Sequence, residues 1–229
     1  MRILTTAFVA QLMFATSALG QVTTEERPRG NDRQVNEAGE GQNLDQQIAA
    51  CLLLGNQEEV ALAEFAEEHL QHDQVKAFAK MLAEQHAKVV AKIQDAAPEV
   101  AMLKLVDSRS SAIGDNPSNR ADQTGSDKGL ALLQKVKSEC LQLTQKELAE
   151  HKGADFDKAY VGQQIGAHLG MLAQLRGSMS FASPELQKVI AEGEKMTVMH
   201  LTEAKKLMAQ IKDTGSTTTE AARPTTPKR

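Results

Sequence analysis

Three of the six histidines in this 229-residue chain occupy positions where a helical pattern calls for an apolar residue. His86 follows Leu82 by four residues, which places both side chains on one helix face. His168 and His200 hold equivalent positions in two later segments, and Glu59 holds one in an earlier segment. Imidazole and carboxylate groups are ligands of zinc, copper, iron and nickel. We therefore interpret these four residues as a candidate site for a divalent transition metal or a small ligand.

The four positions also lie at similar heights along the predicted helices. Glu59 and His86 lie on opposite sides of a predicted turn near residue 71, and His168 and His200 lie on opposite sides of a second turn near residue 182. At 1.5 Å per residue, the members of each pair differ in height by about 5 or 6 Å. Side chains of this length can converge over that distance.

An alternative interpretation is that these histidines are neutral core residues retained for packing. They would then be hydrogen-bonded to one another, to Glu59, or to Gln164 and Thr197, since a buried polar group is tolerated only when it is satisfied. A ferritin-type di-iron site is disfavoured, because it requires Glu-x-x-His on two helices and no histidine here has a glutamate three residues before it. We interpret the pair His69 and His72 as an incidental surface feature.

The remaining sequence offers no recognisable catalytic motif. It contains neither a Gly-x-Ser-x-Gly nucleophile turn nor a glycine-rich phosphate loop. We therefore predict a protein that is not an enzyme and that binds a metal ion or small ligand at its histidines. Two other hypotheses stay open: a purely structural or interaction module with a protein partner in the cell envelope, and a metal-dependent oxidase.

The segments that carry these residues have the periodicity of long helices. Apolar residues recur at intervals of three and four in four stretches, 43–70, 73–96, 155–179 and 184–211. Short links make the members of each consecutive pair antiparallel, which predicts an all-α, up-down four-helix bundle. After a long loop, 97–127, an additional helix at 128–151 interrupts the connection between the second and third helices. Its apolar spacing includes Leu133, Val136, Cys140, Leu143 and Leu148.

The composition agrees with a helical core and excludes two classes of partner. The chain is 41% hydrophobic but has no tryptophan and one tyrosine, so the core must be built from aliphatic side chains and methionine. The formal charge is −4, and no basic stripe is present. We therefore expect neither nucleic acid nor an anionic membrane surface as a partner.

The first twenty residues have the features of a secretory signal. Arg2 provides the positive charge at the beginning, and an apolar run follows it. Small residues at the end of segment 1–20 form the expected cleavage site. Cleavage there leaves no transmembrane anchor and places the protein in the periplasm or cell envelope. Segments 21–42 and 213–229 are polar and are predicted to be disordered, which leaves 43–212 as the folded domain.

Export affects the interpretation of the two cysteines, Cys51 and Cys140, which lie on different predicted helices. In an oxidising compartment they can form one disulfide bridge. The alternative is two buried thiols that act as small hydrophobic residues. The spacing does not distinguish these alternatives.

Four sequence blocks resemble the DUF4142 family of exported, ferritin-like helical bundles. They are GNQEEVALAEFA, QVKAFAKMLAEQHAK, GADFDKAYVGQQIGAHLGML and SPELQKVIAEGEKMTVMHLTEAKKL, and the resemblance covers residues 44–212. It implies a ferritin-like bundle and export, and it identifies recurrent positions at Glu59, Phe78, His86, Phe156, Asp157, Tyr160, His168 and His200. Family members often carry Asp directly before two of these histidines, where this chain has Gln85 and Ala167.

Overall fold

The computed structural model describes the backbone of residues 32–105 and 125–217 and the side chains of residues 44–105 and 128–211. The backbone ranges contain five α-helices: α1 Asp32–Glu67, α2 Asp73–Ala96, α3 Gly125–Ala149, α4 Ala154–Ser178 and α5 Pro184–Thr217. Short 3-10 turns follow two of them, at Pro98–Val100 after α2 and at Met179–Phe181 after α4. Every regular element in these ranges is helical, so the all-α prediction is confirmed.

Three helices extend beyond the bounds that the sequence predicted. α3 begins at Gly125, before the predicted start at residue 128. α1 begins at Asp32, before the predicted cap on Asn43, and includes part of the segment 21–42. Extension of an existing helix needs no new nucleus, and Arg, Gln and Glu in this stretch are good helix formers. α5 likewise continues to Thr217, past the predicted start of the tail at residue 213.

Several predictions concern residues outside the described ranges. They include the signal sequence 1–20, most of the long loop, and the tail from residue 218. Among the helices that are described, none combines the length and the apolar character needed to cross a membrane.

The helices pack as two hairpins and one additional helix. α1 packs along α2, and α4 packs along α5. Contacts between α2 and α5 join the two hairpins, while α3 packs mainly on α1 and touches α4. The result is a helical bundle in which α2, α4 and α5 can direct side chains toward a shared interior.

Asp157 connects the beginning of α4 to the α1–α2 turn through two hydrogen bonds. Its two carboxylate oxygens accept hydrogen bonds from the main-chain N–H groups of Gln71, at 3.0 Å, and His72, at 2.8 Å. Gly153 makes this approach possible, because its φ of 57° lies in the left-handed region. A Cβ at Gly153 would also lie 3.3 Å from the Gln71 side-chain oxygen. Asp157 is therefore a fold residue at a recurrent family position.

Two apolar clusters fill the bundle and leave a polar layer between them. One cluster, nearer the α1–α2 turn, includes Phe78 and Phe156. The other, toward the opposite end, includes Ile93 and Leu175. Most of the buried residues between the clusters along α1, α2, α4 and α5 are polar, with Leu54 and Leu201 as apolar exceptions; the polar ones include Asn56, Glu59, His86, Gln164, His168, Thr197 and His200.

α3 buries only part of the face that its apolar spacing predicted: Leu148 is 4% exposed, but two other members of that face lie largely in solvent. Val136 and Leu143 are 55% and 64% exposed, whereas Lys137 is 8% exposed. The Lys137 ammonium donates to Glu58 Oε2 on α1 at 3.0 Å. This buried ion pair turns the Lys137 side of α3 toward α1. The spacing of residues within α3 could not predict this orientation, because the partner, Glu58, belongs to another helix.

Candidate metal centre

His86 on α2, His168 on α4 and His200 on α5 meet in the polar layer. Each of these side chains has 0% exposure. Their ring centroids lie between 5.1 and 5.5 Å apart. One ring nitrogen of each histidine lies within 4.8 Å of a ring nitrogen of each of the others, and in the described part of the chain this is the group of metal-ligating side chains that converges. The structure therefore brings together the three histidines that the sequence singled out.

A polar side chain on α1 fixes the orientation of His86. His86 Nδ1 donates to Asn56 Oδ1 at 2.8 Å, and Asn56 Nδ2 donates to the Leu52 carbonyl oxygen at 2.7 Å. Because the Leu52 carbonyl can only accept, the Asn56 amide must turn its oxygen toward the histidine. The His86 proton is therefore on Nδ1, and Nε2 carries a lone pair. Nε2 has no hydrogen-bond partner among the described residues.

The other two histidines are held in a comparable way. His168 Nδ1 donates to the main-chain oxygen of Gln164 at 2.9 Å. His200 Nε2 donates to Gln85 Oε1 at 2.8 Å. The remaining nitrogens, His168 Nε2 and His200 Nδ1, lie 3.1 Å apart.

Burial keeps the three rings neutral near pH 7. It lowers the pKa of His168 to about 4, and burial together with the neighbouring His168 lowers the pKa of His200 to about 3. Burial, together with the other two histidines, holds the pKa of His86 well below its usual value. Neutral imidazole is the form that binds metal ions, so the lone pairs of all three rings are available.

Glu59 is buried on α1, but it is not part of the histidine cluster. Burial, with the neighbouring Glu58 carboxylate, raises the pKa of Glu59 to about 8, so its carboxyl group is mostly protonated near pH 7. The α1 residue that contacts His86 is Asn56, which lies one helical turn before Glu59. Asn56 and His86 are at nearly equal distances along the chain from the turn near residue 71, and this equality is a sequence signal for their pairing.

Gln85 is the second contributor that sequence reasoning did not place in the site. It directly precedes His86, yet it bonds to His200, because consecutive residues on a helix point in different directions. Gln85 therefore faces α5 while His86 faces the interior. The position at which relatives often carry Asp thus provides a neutral oxygen to a histidine here.

A second group of buried polar atoms lies beside the cluster, between α1 and α4. Glu59 Oε2, the Tyr160 hydroxyl and both amide atoms of Gln164 have no hydrogen-bond partner among the described residues. Burial, followed by the Glu59 and Glu67 carboxylates, raises the pKa of Tyr160 well above its usual value. The main-chain oxygen of Gln164 accepts the hydrogen bond that orients His168. Gln164 therefore belongs both to this group of polar atoms and to the surroundings of the histidine cluster.

The remaining sequence candidates lie away from this layer. No disulfide joins Cys51 to Cys140, and burial raises the pKa of both thiols, that of Cys140 to about 11. His69 stacks on Phe156 with ring centroids 5.3 Å apart. Neither cysteine belongs to the histidine cluster, and His69 and His72 do not belong to it either.

Comparison with known proteins identifies the chain at the family level. The family model of DUF4142, described as a domain of unknown function, matches residues 30–207. No curated protein and no solved structure matches the chain significantly. The match spans most of the described helices and includes all three clustered histidines, so the resemblance seen in the sequence blocks is confirmed. The chain belongs to the DUF4142 family.

Proposed function

We propose that this protein binds one transition-metal ion through His86, His168 and His200. The observation that carries the proposal is that one ring nitrogen of each histidine lies within 4.8 Å of a ring nitrogen of each of the others, while each ring also faces an oxygen outside the cluster. We assign the ring protons to the nitrogens that face these oxygens, which leaves the converging nitrogens without protons. The oxygen acceptors belong to Asn56, Gln164 and Gln85.

Two of the converging nitrogens lie so close together that either a shared proton or a bound cation must stand between them. His168 Nε2 and His200 Nδ1 are separated by 3.1 Å. Two lone pairs at this distance repel each other, and a bound cation removes the repulsion. With metal–nitrogen distances of 2.0–2.1 Å, two nitrogen ligands of a tetrahedral ion lie about 3.4 Å apart. The spacing of this pair therefore suits two ligands of one ion.

The outer hydrogen bonds are those that metal-binding histidines need. A ligating histidine commonly donates its second N–H to a carbonyl or carboxylate oxygen, which fixes the tautomer and the ring plane. Here three such donations come from three helices. The third ligand is His86 Nε2, which has no other partner among the described residues.

A purely structural module is the competing function. If the Gln85 amide turned its NH₂ group toward His200, then His200 Nδ1 could donate to His168 Nε2 and the cluster would form a neutral hydrogen-bond network. The low pKa values of these rings are compatible with that arrangement. It leaves His86 Nε2 unsatisfied, however, and an unsatisfied buried acceptor costs about 1–3 kcal/mol.

Elemental analysis of the tag-free protein, purified from its native compartment, tests the proposal. We expect about one metal ion per chain in the wild type and loss of that ion in a His86→Ala/His168→Ala variant. A His151→Gln variant serves as a control, because His151 lies outside the cluster. Negligible metal in the wild type, and no thermal stabilisation by added metal, would support the structural module instead.

We further propose that α1, α2, α4 and α5 form a ferritin-like, up-down four-helix bundle, exported to the periplasm or cell envelope by the signal 1–20. The α1–α2 and α4–α5 hairpins and the α2–α5 contacts support this arrangement. Fusion of residues 1–20 to a reporter that is active only outside the cytoplasm tests export. An inactive fusion would contradict it.

A further inference from the structure

We infer that the ion held by the three histidines is a soft monovalent cation, Cu(I), and that the site prefers it to divalent zinc or nickel. This inference rests on the proposed metal site and names the ion. It departs from the divalent metal expected from the residue types alone. Three observations support it: the charge of the surroundings, the number of donors, and two methionines one helical turn from the histidines.

The first observation is that the site offers no negative charge. The three ligands are neutral rings, and their outer partners are neutral amide and main-chain oxygens. The buried carboxyl group in the same layer, Glu59, is mostly protonated near pH 7, and Glu58 is neutralised by Lys137 at 3.0 Å. The cost of burying an ion grows with the square of its charge, so a divalent ion pays about four times the desolvation cost of a monovalent ion.

The second observation is that the cluster supplies three donors in a closed environment. Zinc in proteins is almost always four-coordinate, with an open position filled by water or substrate in catalytic sites. Here the three rings have no exposure, and the nearby Thr197 hydroxyl donates to the Gly193 carbonyl oxygen at 2.8 Å. Cu(I) is a d¹⁰ ion like Zn²⁺, but its lower charge is satisfied by three ligands in trigonal geometry, which matches the donors present.

The third observation is that two thioethers lie one helical turn from histidine ligands. Met171 and Met196 line a small cavity of about 10 Å³ that the histidines themselves do not line, together with Asn56, whose oxygen accepts from His86. Met171 lies three residues after His168, and Met196 lies four residues before His200. At these spacings each methionine shares a helix face with its histidine. Thioether sulfur is a soft donor that selects Cu(I), whereas zinc and nickel gain less from it.

Anaerobic competition titration of the tag-free, full-length protein tests the inference. Cu(I) is titrated against the chromophoric chelator bicinchoninate, Zn²⁺ and Ni²⁺ are each titrated against a chromophoric chelator of divalent ions, and Ag⁺ serves as a redox-inert monovalent ion. We expect one Cu(I) per chain, bound at least about tenfold more tightly than Zn²⁺, with Ag⁺ showing the same order. These measurements use the wild-type protein, so they do not depend on the folding of a variant.

The outcomes separate this inference from the proposed function. Zn²⁺ or Ni²⁺ binding as tightly as Cu(I) would overturn the inference and leave the metal site standing. Binding of none of these ions would overturn both. A Met171→Leu/Met196→Leu variant should lose Cu(I) affinity relative to Met102→Leu, a control at a side chain that is 86% exposed. Equal Cu(I) affinities in these two variants would overturn the part of the inference that rests on sulfur.

Discussion

His168 Nε2 lies 3.1 Å from His200 Nδ1 in the interior of the bundle, where α4 and α5 face each other. Both rings are fully buried, and each is anchored on its far side by an oxygen acceptor. The contact therefore joins two helices through polar groups in a layer that separates two apolar clusters. Its protonation state therefore affects how much this layer contributes to stability.

Acidification should destabilise the metal-free protein. In the unfolded chain these histidines titrate near 6.5, whereas in the folded protein the pKa is about 4 for His168, about 3 for His200, and shifted in the same direction for His86. Below pH 6.5 the unfolded chain therefore binds more protons than the folded one. The free energy of unfolding should fall between pH 6.5 and 4 by up to about 1.4 kcal/mol per pH unit for each histidine.

Urea denaturation at pH 7, 6 and 5, in the presence of a chelator, measures this effect. A His168→Gln variant should show a shallower pH dependence than the wild type. His151→Gln, outside the cluster, should follow the wild type. A wild-type unfolding free energy that does not change from pH 7 to pH 5 would contradict neutral burial of the histidines.

Alkalinisation should destabilise the protein through Glu59. Its pKa rises from 4.5 to about 8 on folding, so the stability contributed by its protonated form is complete below 4.5 and is lost as pH rises through 8. Above about pH 7.5 the histidines of the unfolded chain are mostly deprotonated, and the wild-type free energy of unfolding should then fall by up to about 1.4 kcal/mol per pH unit until the pH passes 8. Glu59→Gln should remove this slope, and Glu64→Gln, at an exposed position, should retain it. Parallel profiles for the two variants would rule out the role of Glu59.

Loss of the Gln85 side chain should weaken metal binding. Gln85 orients His200, and removal of such an outer partner typically costs about 10- to 100-fold in metal affinity. We expect this loss for Gln85→Leu in a metal titration. Gln74→Leu, at an exposed position of the same helix, is the matched control. If Gln85→Leu retained wild-type affinity, His200 would not be held in the proposed orientation.

Substitution of Asp157 should weaken the fold without altering the site. Its carboxylate accepts two main-chain N–H groups of the α1–α2 turn, and Asn offers one oxygen in place of two. Asp157→Asn should lower the free energy of unfolding by about 1–3 kcal/mol. The exposed Asp155→Asn should have little effect. Thermal denaturation tests stability, and a large change in metal affinity would show that Asp157 acts on the site.

The buried pair of Lys137 and Glu58 should show strong coupling. Lys137→Met leaves the Glu58 carboxylate buried without its partner, which should cost about 3–5 kcal/mol. Adding Glu58→Leu to this variant should restore part of the stability. A double-mutant cycle in urea measures the coupling, and additive effects would mean that the ion pair does not hold α3 on α1.

The histidine positions illustrate what periodicity can predict. His86, His168 and His200 each continue an apolar helix face, and that face must point into the core. The approximate heights of the three histidines along their helices then predicted that the rings lie in one layer. The α1 member was less well determined, because Asn56 and Glu59 share a face and differ in height by one turn. An error of one turn, about 5.4 Å, exchanges a hydrogen-bonding amide for a carboxyl group outside the cluster.

The sequence alone determined the helical class, the bounds of α2, the family and the inward direction of three histidines, because these depend on spacing within single helices. Tertiary structure decided the pairing of Gln85 with His200, the buried face of α3 around Lys137, and the exclusion of Glu59 from the cluster. These features depend on the rotation and offset of one helix relative to another. Packing between elements sets both, and the period of a single helix carries no information about either.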